Sequence, residues 1–387
     1  MHNYEEIRIL FIMKKILFIV NVDWFFISHR LPLAISAIEK GYEVHILSEG
    51  TGQREFLEGN GIIVHDAKWS RLKQGSNVFK EILDIFIHIK NIKPDLLHLV
   101  TIKPVLLGGL VSRVLRTSAV VSAISGLGFI YSSSGYYATV RRWMVSLLYH
   151  IALGHKNQKV IFQNKDDRKR LLKTSAKLAE KSVLIPGSGV DLSLFFPKPQ
   201  ISGDPIFMFV GRLLESKGVR EFVRSAEILS GSSISARFVL VGNIDSSNPE
   251  SITQNDLSQW KSEGCVEIWG HKPDMFNVMP LASVVVLPSY YGEGLPKALI
   301  EAAACGRAVI TTDHPGCRDA IQPEITGLLI PVKDSQALAD AMRYLILEPE
   351  ECLKMGKAGR ELADMKFDIN KVIDYHMSIY SNLLEAP

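Results

Sequence analysis

The chain has 387 residues, 47% of them hydrophobic and 22% charged, which is a globular composition and not a disordered or fibrous one. Its net charge of +3 conceals a division: residues 1–185 carry 26 Lys and Arg against 15 Asp and Glu, and the remainder 18 against 26. The four cysteines form no C-x-x-C pair and no Cys/His cluster of zinc spacing, so neither a disulfide scaffold nor a zinc domain is indicated, and reduced thiols of a cytosolic protein are expected.

Residues 1–12 read as an extension outside the fold. Lys14 and Lys15 interrupt the apolar stretch from Ile9 to Val20, and no window reaches the length of a membrane span without charges. A first buried strand is expected at Ile16–Val20, then a loop holding His29 and Arg30, then an amphipathic helix over Leu31–Lys40. Further strands are expected at Tyr42–Leu47, Ile62–Val64, Leu96–Val100 and Ala119–Ile124, and helices at Val78–Ile92 and Val105–Leu115. No acidic residue lies between Asp95 and Asp166, while Lys103, Arg113, Arg116, Arg141 and Arg142 do, a one-signed field that attracts anions. Within it, Tyr136-Tyr137 and Arg141-Arg142-Trp143, followed by an apolar run to Leu153, read as a basic, aromatic-edged amphipathic helix suited to an anionic membrane surface.

Pro186-Gly-Ser-Gly-Val-Asp191 and Phe196-Pro-Lys-Pro199 mark a linker over 186–200. The alternation then restarts, with strands at Ile206–Val210, Arg237–Val241, Val266–Trp269, Ser283–Pro288 and Ala308–Thr311 and a helix at Val219–Leu229. Strands separated by helix-length segments specify an α/β chain of two doubly wound domains, 1–185 and 201–368, facing a cleft. Ligands of such sheets bind outside the carboxyl ends of the strands. A last helical pattern, within 369–387, is placed to cross back onto the first domain.

Two stretches carry chemistry. Gly211-Arg-Leu-Leu-Glu-Ser-Lys-Gly218 follows a strand directly and sets Arg212 and Lys217 beside a helix start, where a planar fork and a point charge suit phosphate oxygens. Tyr291-Gly-Glu-Gly-Leu-Pro-Lys-Ala-Leu-Ile-Glu301 puts Glu293 in a loop and Glu301 just over one turn into the helix that Pro296 opens. A polyhydroxylated ligand laid across that helix end would meet both carboxylates, and its phosphates the free N–H groups there. The same residues also fit an ordinary basic loop and a surface helix.

Together with Pro315-Gly-Cys-Arg-Asp319, Thr326-Gly-Leu-Leu-Ile-Pro331 and Gly187-Ser-Gly-Val-Asp191, these motifs resemble the family-4 retaining glycosyltransferases of GT-B fold, two Rossmann-like domains facing a cleft. In the first half, Trp24-Phe-Phe-Ile-Ser-His-Arg-Leu-Pro32 and Ser125-Gly-Leu-Gly128 resemble the bacterial enzymes that extend undecaprenyl-diphosphate-linked glycans, N-acetylgalactosaminyltransferases among them. The resemblance implies that Gly211, Arg212 and Lys217 bind the diphosphate of a donor, which by family analogy is a UDP-sugar. It implies that Glu293, with Gly294, Leu295 and Pro296, meets the sugar, that Glu301 holds the ribose, and that His271 lies beside the base. Arg212, Lys217 and Glu293 would be the catalytic groups.

His29, Arg30, His98, Lys103, Ser125, Gly126 and Gly128 are the candidate contacts for a lipid-linked glycan acceptor. Where many relatives hold a His or an acid before the cleft glycines, this chain has Ser125, a poor base at neutral pH. No Asp-x-Asp occurs, which fits metal-independent transfer with no cofactor besides the nucleotide-sugar substrate. The expected place is the cytoplasm, peripheral on the inner face of the membrane, with no nucleic-acid partner because no recognition motif is present. Two other readings are a sugar-nucleotide epimerase or hydrolase of the same architecture and a non-catalytic carbohydrate- or lipid-binding protein. A nicotinamide-dependent oxidoreductase is disfavoured, because the loop from Asn21 to Arg30 contains no glycine.

Overall fold

The computed structural model of the protein describes residues 13–69, 77–127, 136–173, 177–200, 202–231 and 234–385, with the backbone alone at 136–143 and 177. Residues 1–12, the expected extension, lie outside the described residues.

The first half builds a parallel sheet from β1 (Lys15–Val22), β2 (Glu43–Glu49), β3 (Ile63–Asp66), β4 (Leu96–Val100), β5 (Ala119–Ile124), β6 (Gln158–Phe162) and β7 (Ser182–Leu184). Its spatial order is β3-β2-β1-β4-β5-β6-β7. The connecting helices are α1 (Asp23–Glu39), α2 (Arg54–Gly59), α3 (Val78–Ile92), α4 (Ile102–Leu115), α5 (Tyr136–Ala152), α6 (Lys165–Leu172) and α7 (Lys177–Lys181). Strand alternation sorts β1 between two cores. Ile16, Phe18 and Val20 pack with Phe26, Leu33 and Ala37 of α1. Leu17 and Ile19 pack on the other face with Ile85 of α3, Val105 of α4 and Tyr149 of α5. Both faces are covered, which is why these strands read as continuous apolar runs.

The second half builds its sheet from β8 (Ile206–Val210), β9 (Arg237–Val241), β10 (Glu267–Gly270), β11 (Val284–Leu287), β12 (Ala308–Thr312) and β13 (Gly327–Ile330), in the order β10-β9-β8-β11-β12-β13. Its helices are α8 (Val219–Ser230), α9 (Gln254–Glu263), α10 (Met275–Val278), α11 (Lys297–Ala304), α12 (Ser335–Leu347) and α13 (Pro349–Lys366). The last helix, α14 (Ile369–Glu385), leaves this domain through a bridge between Val190 and Asp368. Its Val372, Met377, Tyr380 and Leu383 enter the core of the first domain. The chain therefore crosses between the domains twice.

One difference from the expected elements bears on function. No loop holds His29 and Arg30; α1 begins at Asp23, directly after β1, and runs through Pro32. Proline inside a helix costs roughly 3 kcal/mol. The buried positions Phe26, Arg30, Leu33, Ala34 and Ala37 keep helical spacing across it, so the packed stripe outweighs the break. Asp23 fixes the start: its carboxylate accepts from the Thr51 N–H at 2.6 Å and the Thr51 hydroxyl at 2.5 Å, tying the loop after β2 to the mouth of the cleft.

Candidate active site

In each sheet the strand order reverses direction once, between β1 and β4 and between β8 and β11. These switch points face one another, as expected for a ligand site of doubly wound sheets. Two adjoining cavities occupy the space, a central one of about 480 Å³ and a flanking one of about 770 Å³. They share Val22, Trp24 and Ser28 from the first domain and Gly211 and Arg212 from the second.

The central cavity brings together Arg212, Lys217 and the loop Glu293–Pro296 from one side, and His29, Ser125 and Gly126 from the other. Each cation there is held by a carboxylate. Lys217 Nζ lies 2.5 Å from Glu293 Oε1, which also accepts from the Ser289 hydroxyl at 3.3 Å. Arg212 donates to Asp245 at 2.7 Å, and its guanidinium stands 5.9 Å from the Trp24 ring centroid. Lys297, the first residue of α11, donates to the Ser28 carbonyl at 2.9 Å and lies 3.4 Å from Glu301 Oε1. An anion with two or more phosphates entering this space would meet three cations already positioned and exchange their carboxylate partners for its own oxygens.

Glycine is required where the halves touch. A Cβ on Gly126, whose φ is 104°, would stand 2.2 Å from the Gly292 carbonyl oxygen, and one on Gly242, with φ 151°, 1.8 Å from that of Gly211. The first contact sets the Ser125–Leu127 loop against the loop of Glu293; the second lets the ends of β8 and β9 close around the flanking cavity.

Glu301 is buried in α11, and burial raises its pKa while Lys297 opposes the rise. It touches the site through Lys297. His271 is exposed at the turn after β10, lines the flanking cavity and receives the Asn243 side chain, which accepts from its N–H at 3.1 Å.

On the opposite wall His29 stacks on Phe25, with ring centroids 4.0 Å apart, and Nδ1 is 3.2 Å from the Phe25 carbonyl. A carbonyl only accepts, so Nδ1 carries the proton and Nε2 is the acceptor. Burial, then the charges of Lys297 and Arg30, push this imidazole down to about 3, so it stays neutral at physiological pH. The hydroxyls of Ser125 and Thr101 are buried, face no hydrogen-bond partner and belong to residues lining the central cavity. Thr101 has φ 75°, an uncommon conformation for a β-branched residue, at the start of α4.

Three expected acceptor contacts are not brought to the cleft. Arg30 is 2% exposed, in the stripe of α1 that faces the core, and donates to the His29 carbonyl at 2.8 Å. His98 is fully buried in β4, hydrogen-bonded to the Tyr380 hydroxyl of α14 and stacked on Phe18. Lys103 turns to Glu81 of α3, 2.6 Å away. Gly128 and the side chains of Tyr136, Tyr137, Arg141, Arg142 and Trp143 lie outside the described residues.

Sequence reasoning passed over Asp245, Trp24, Thr101 and Lys297. Asp245 and Thr101 sit in loops with no regular spacing to mark them, and Trp24 lies in the first turn of α1, where a loop was expected. Lys297 was visible as a cation four residues before Glu301, an i,i+4 pair on one helix face. Burial of Cys305 and Cys317 pushes both thiols up to about 12, which makes them inert. Among the described residues, one cluster offers three metal-type ligands, Glu227, Glu263 and Cys265, on α8 and around the end of α9.

Residues 15–164 match the family described as glycosyl transferase 4-like, and residues 193–362 match glycosyl transferases group 1. An N,N'-diacetylbacillosaminyl-diphospho-undecaprenol alpha-1,3-N-acetylgalactosaminyltransferase of Campylobacter jejuni is 26% identical over 92% of this chain and 95% of its own. A UDP-Gal:alpha-D-GlcNAc-diphosphoundecaprenol alpha-1,3-galactosyltransferase of Escherichia coli is 24% identical over 79% of this chain and 80% of its own. Among solved structures, the sucrose-phosphate synthase of Thermosynechococcus elongatus superposes with a TM-score of 0.77 at 21% identity, over 97% of this chain and 100% of its own, which establishes the GT-B fold.

Proposed function

With a glycosyl transferase 4-like domain and a group 1 glycosyl transferase domain on its two facing sheets, this chain is a glycosyltransferase, and we propose that it moves a hexose or N-acetylhexosamine from a UDP-sugar to a lipid-diphosphate-linked glycan, with retention of configuration. The observation that carries the reading is the pair Arg212 and Lys217, held in the cleft by Asp245 and Glu293 at the switch point of the second sheet. The lipid-linked acceptors and the UDP donor named for the two relatives support the substrate classes.

In this reading an acceptor hydroxyl forms a bond to the anomeric carbon while the bond from that carbon to the diphosphate breaks. The departing UDP takes the charge, and Arg212 and Lys217 stabilise it where it develops. The acceptor's proton goes to the leaving phosphate oxygen. Neutral His29 and the hydroxyls of Ser125 and Thr101 support this route, since each positions a hydroxyl and none is a strong base. Glu293 orients the sugar, Glu301 the ribose, and His271 flanks the base. The cationic side chains take the role a metal has in other transferases, so a chelator leaves the rate unchanged.

The acceptor places the enzyme at a membrane surface. Among the described residues no helix is long and apolar enough to cross one. Instead α3 exposes Phe79, Leu83 and Ile87, and α5 exposes Met144, Leu147 and Ile151, each set at helical spacing. Helix α4, which packs against both, carries exposed Arg113, and exposed Arg116 caps its end. Apolar stripes set among cations fit an anionic bilayer, here the inner face of the cytoplasmic membrane.

Calorimetry with UDP and GDP tests the donor assignment. UDP should bind, and Arg212→Ala and Lys217→Ala should each weaken it about tenfold or more, one charge-assisted contact being worth about 1.5–3 kcal/mol. Equal binding by the variants, or a preference for GDP, contradicts it.

A further inference from the structure

The loop that carries Glu293 is held from across the cleft by a side chain of the other domain. Asn164, the residue before α6, donates from Nδ2 to the Gly294 carbonyl at 2.9 Å and to the Glu293 carbonyl at 3.2 Å. The same Nδ2 lies 2.9 Å from Asp167 Oδ2, which also accepts from the Leu127 N–H at 3.2 Å. Leu127 follows Ser125 and Gly126, the acceptor side of the cleft. One buried pair, with Asn164 1% and Asp167 3% exposed, thus bonds the donor-side loop and the acceptor-side loop at once. The other end of Asn164 is structural: Oδ1 accepts from the Asp167 N–H at 2.8 Å and caps α6.

We propose that Asn164 and Asp167 form a positioning relay that locks the Glu293 loop against the Ser125–Leu127 loop, so that the donor and acceptor sites acquire their mutual geometry only when the domains are closed. Resting on the glycosyltransferase reading above, it names residues outside the motifs that bind the donor. The relay acts on backbone carbonyls next to Glu293, not on substrate. Gly294 makes it possible, since a Cβ there would stand 2.9 Å from the Ser125 carbonyl carbon and push the loops apart. Beside the relay, Asp166 reaches Arg318 of the second domain at 3.2 Å, a half-exposed ion pair that adds little by itself. Burial pushes the Asp167 carboxyl up to about 6, against the pull of its bond from Asn164.

Asn164→Ser separates the two roles, because serine caps a helix as well as asparagine but has no amide to reach Glu293 and Gly294. Three quantities are measured on the full-length variant and on the wild type: kcat with donor and acceptor, the Kd for UDP by calorimetry, and the radius of gyration with UDP by small-angle scattering. The relay predicts a kcat lowered about 10- to 100-fold, a UDP Kd within threefold of the wild type, and an ensemble more open than the wild type. Wild-type kcat with wild-type compactness overturns it. So does a UDP affinity that falls in step with kcat, which would make Asn164 a support of the donor site. If the wild-type protein transfers no sugar while Asn164→Ser still opens the cleft, the relay stands and the transferase substrates assigned above fall.

Discussion

Arg212→Ala isolates what the donor-side cations contribute. Its guanidinium side chain is 36% exposed and its partner Asp245 16% exposed, so their ion pair is worth at most about 1 kcal/mol to folding. Asp245 keeps the Ser247 hydroxyl, 2.5 Å from Oδ1, after the substitution. The melting temperature should therefore move by no more than about 2–4 °C. Catalysis should suffer far more. A preorganised donor aimed at developing charge is worth roughly 3–4 kcal/mol, or about 10²–10³ in kcat. Steady-state transfer of labelled sugar to a lipid-linked acceptor, with calorimetric UDP binding on the same sample, reads both effects. A kcat within threefold of wild type would refute the assignment of Arg212 to the leaving diphosphate. A collapse of melting temperature in step with activity would make its role structural.

Lys297→Met leaves Glu301 buried without its cation, so the Glu301 pKa climbs further and the acid limb of kcat/KM for the donor moves to higher pH, while Lys297→Arg restores it; a pH profile of the three proteins checks this. Asp167→Asn removes a carboxyl whose native value, about 6, lies above the unfolded one, with Arg170 and Asp166 as its charged neighbours. Protonation favours the fold, so the wild type loses stability from this group as pH rises from about 4 to about 6. The variant should gain on it by on the order of 2–3 kcal/mol over that window in urea melts at a series of pH values. Phe79, 83% exposed on α3, should tolerate Glu with little change in stability yet lower binding to anionic liposomes at low salt; unchanged flotation would assign the membrane to another surface.

Much of the donor half was legible because its signals are local. Gly211, Gly218, Pro296 and the charges between them mark strand ends, turns and a helix start at fixed spacing, and β8 and β9 fall on the expected residues. The acceptor half was less legible. β4 is buried on both faces, so alternation could not say where His98 points, and only the fold shows it meeting Tyr380, 282 residues further along the chain. Arg30 was readable in principle, since Phe26, Arg30, Leu33 and Ala37 share one helical stripe, but the helix was expected only from Leu31, which left Arg30 in the loop before it. Asn164 and Asp167 have the spacing of a helix cap, yet their contact with Glu293 and Gly294 depends on how two domains meet. Asp245 has no spacing signal, because its partner Arg212 comes from a different strand end.

The central claim is sugar transfer from UDP to a lipid diphosphate. Purified protein is incubated with a panel of UDP-hexoses and UDP-N-acetylhexosamines and an undecaprenyl-diphosphate-linked saccharide, and the lipid product is analysed by mass and by the anomeric coupling of the new linkage. The account predicts one sugar added to the lipid-linked glycan, with the donor's α configuration kept and no loss of rate in a chelator. Release of free or epimerised sugar with the acceptor unchanged, or a product of inverted configuration, would contradict it.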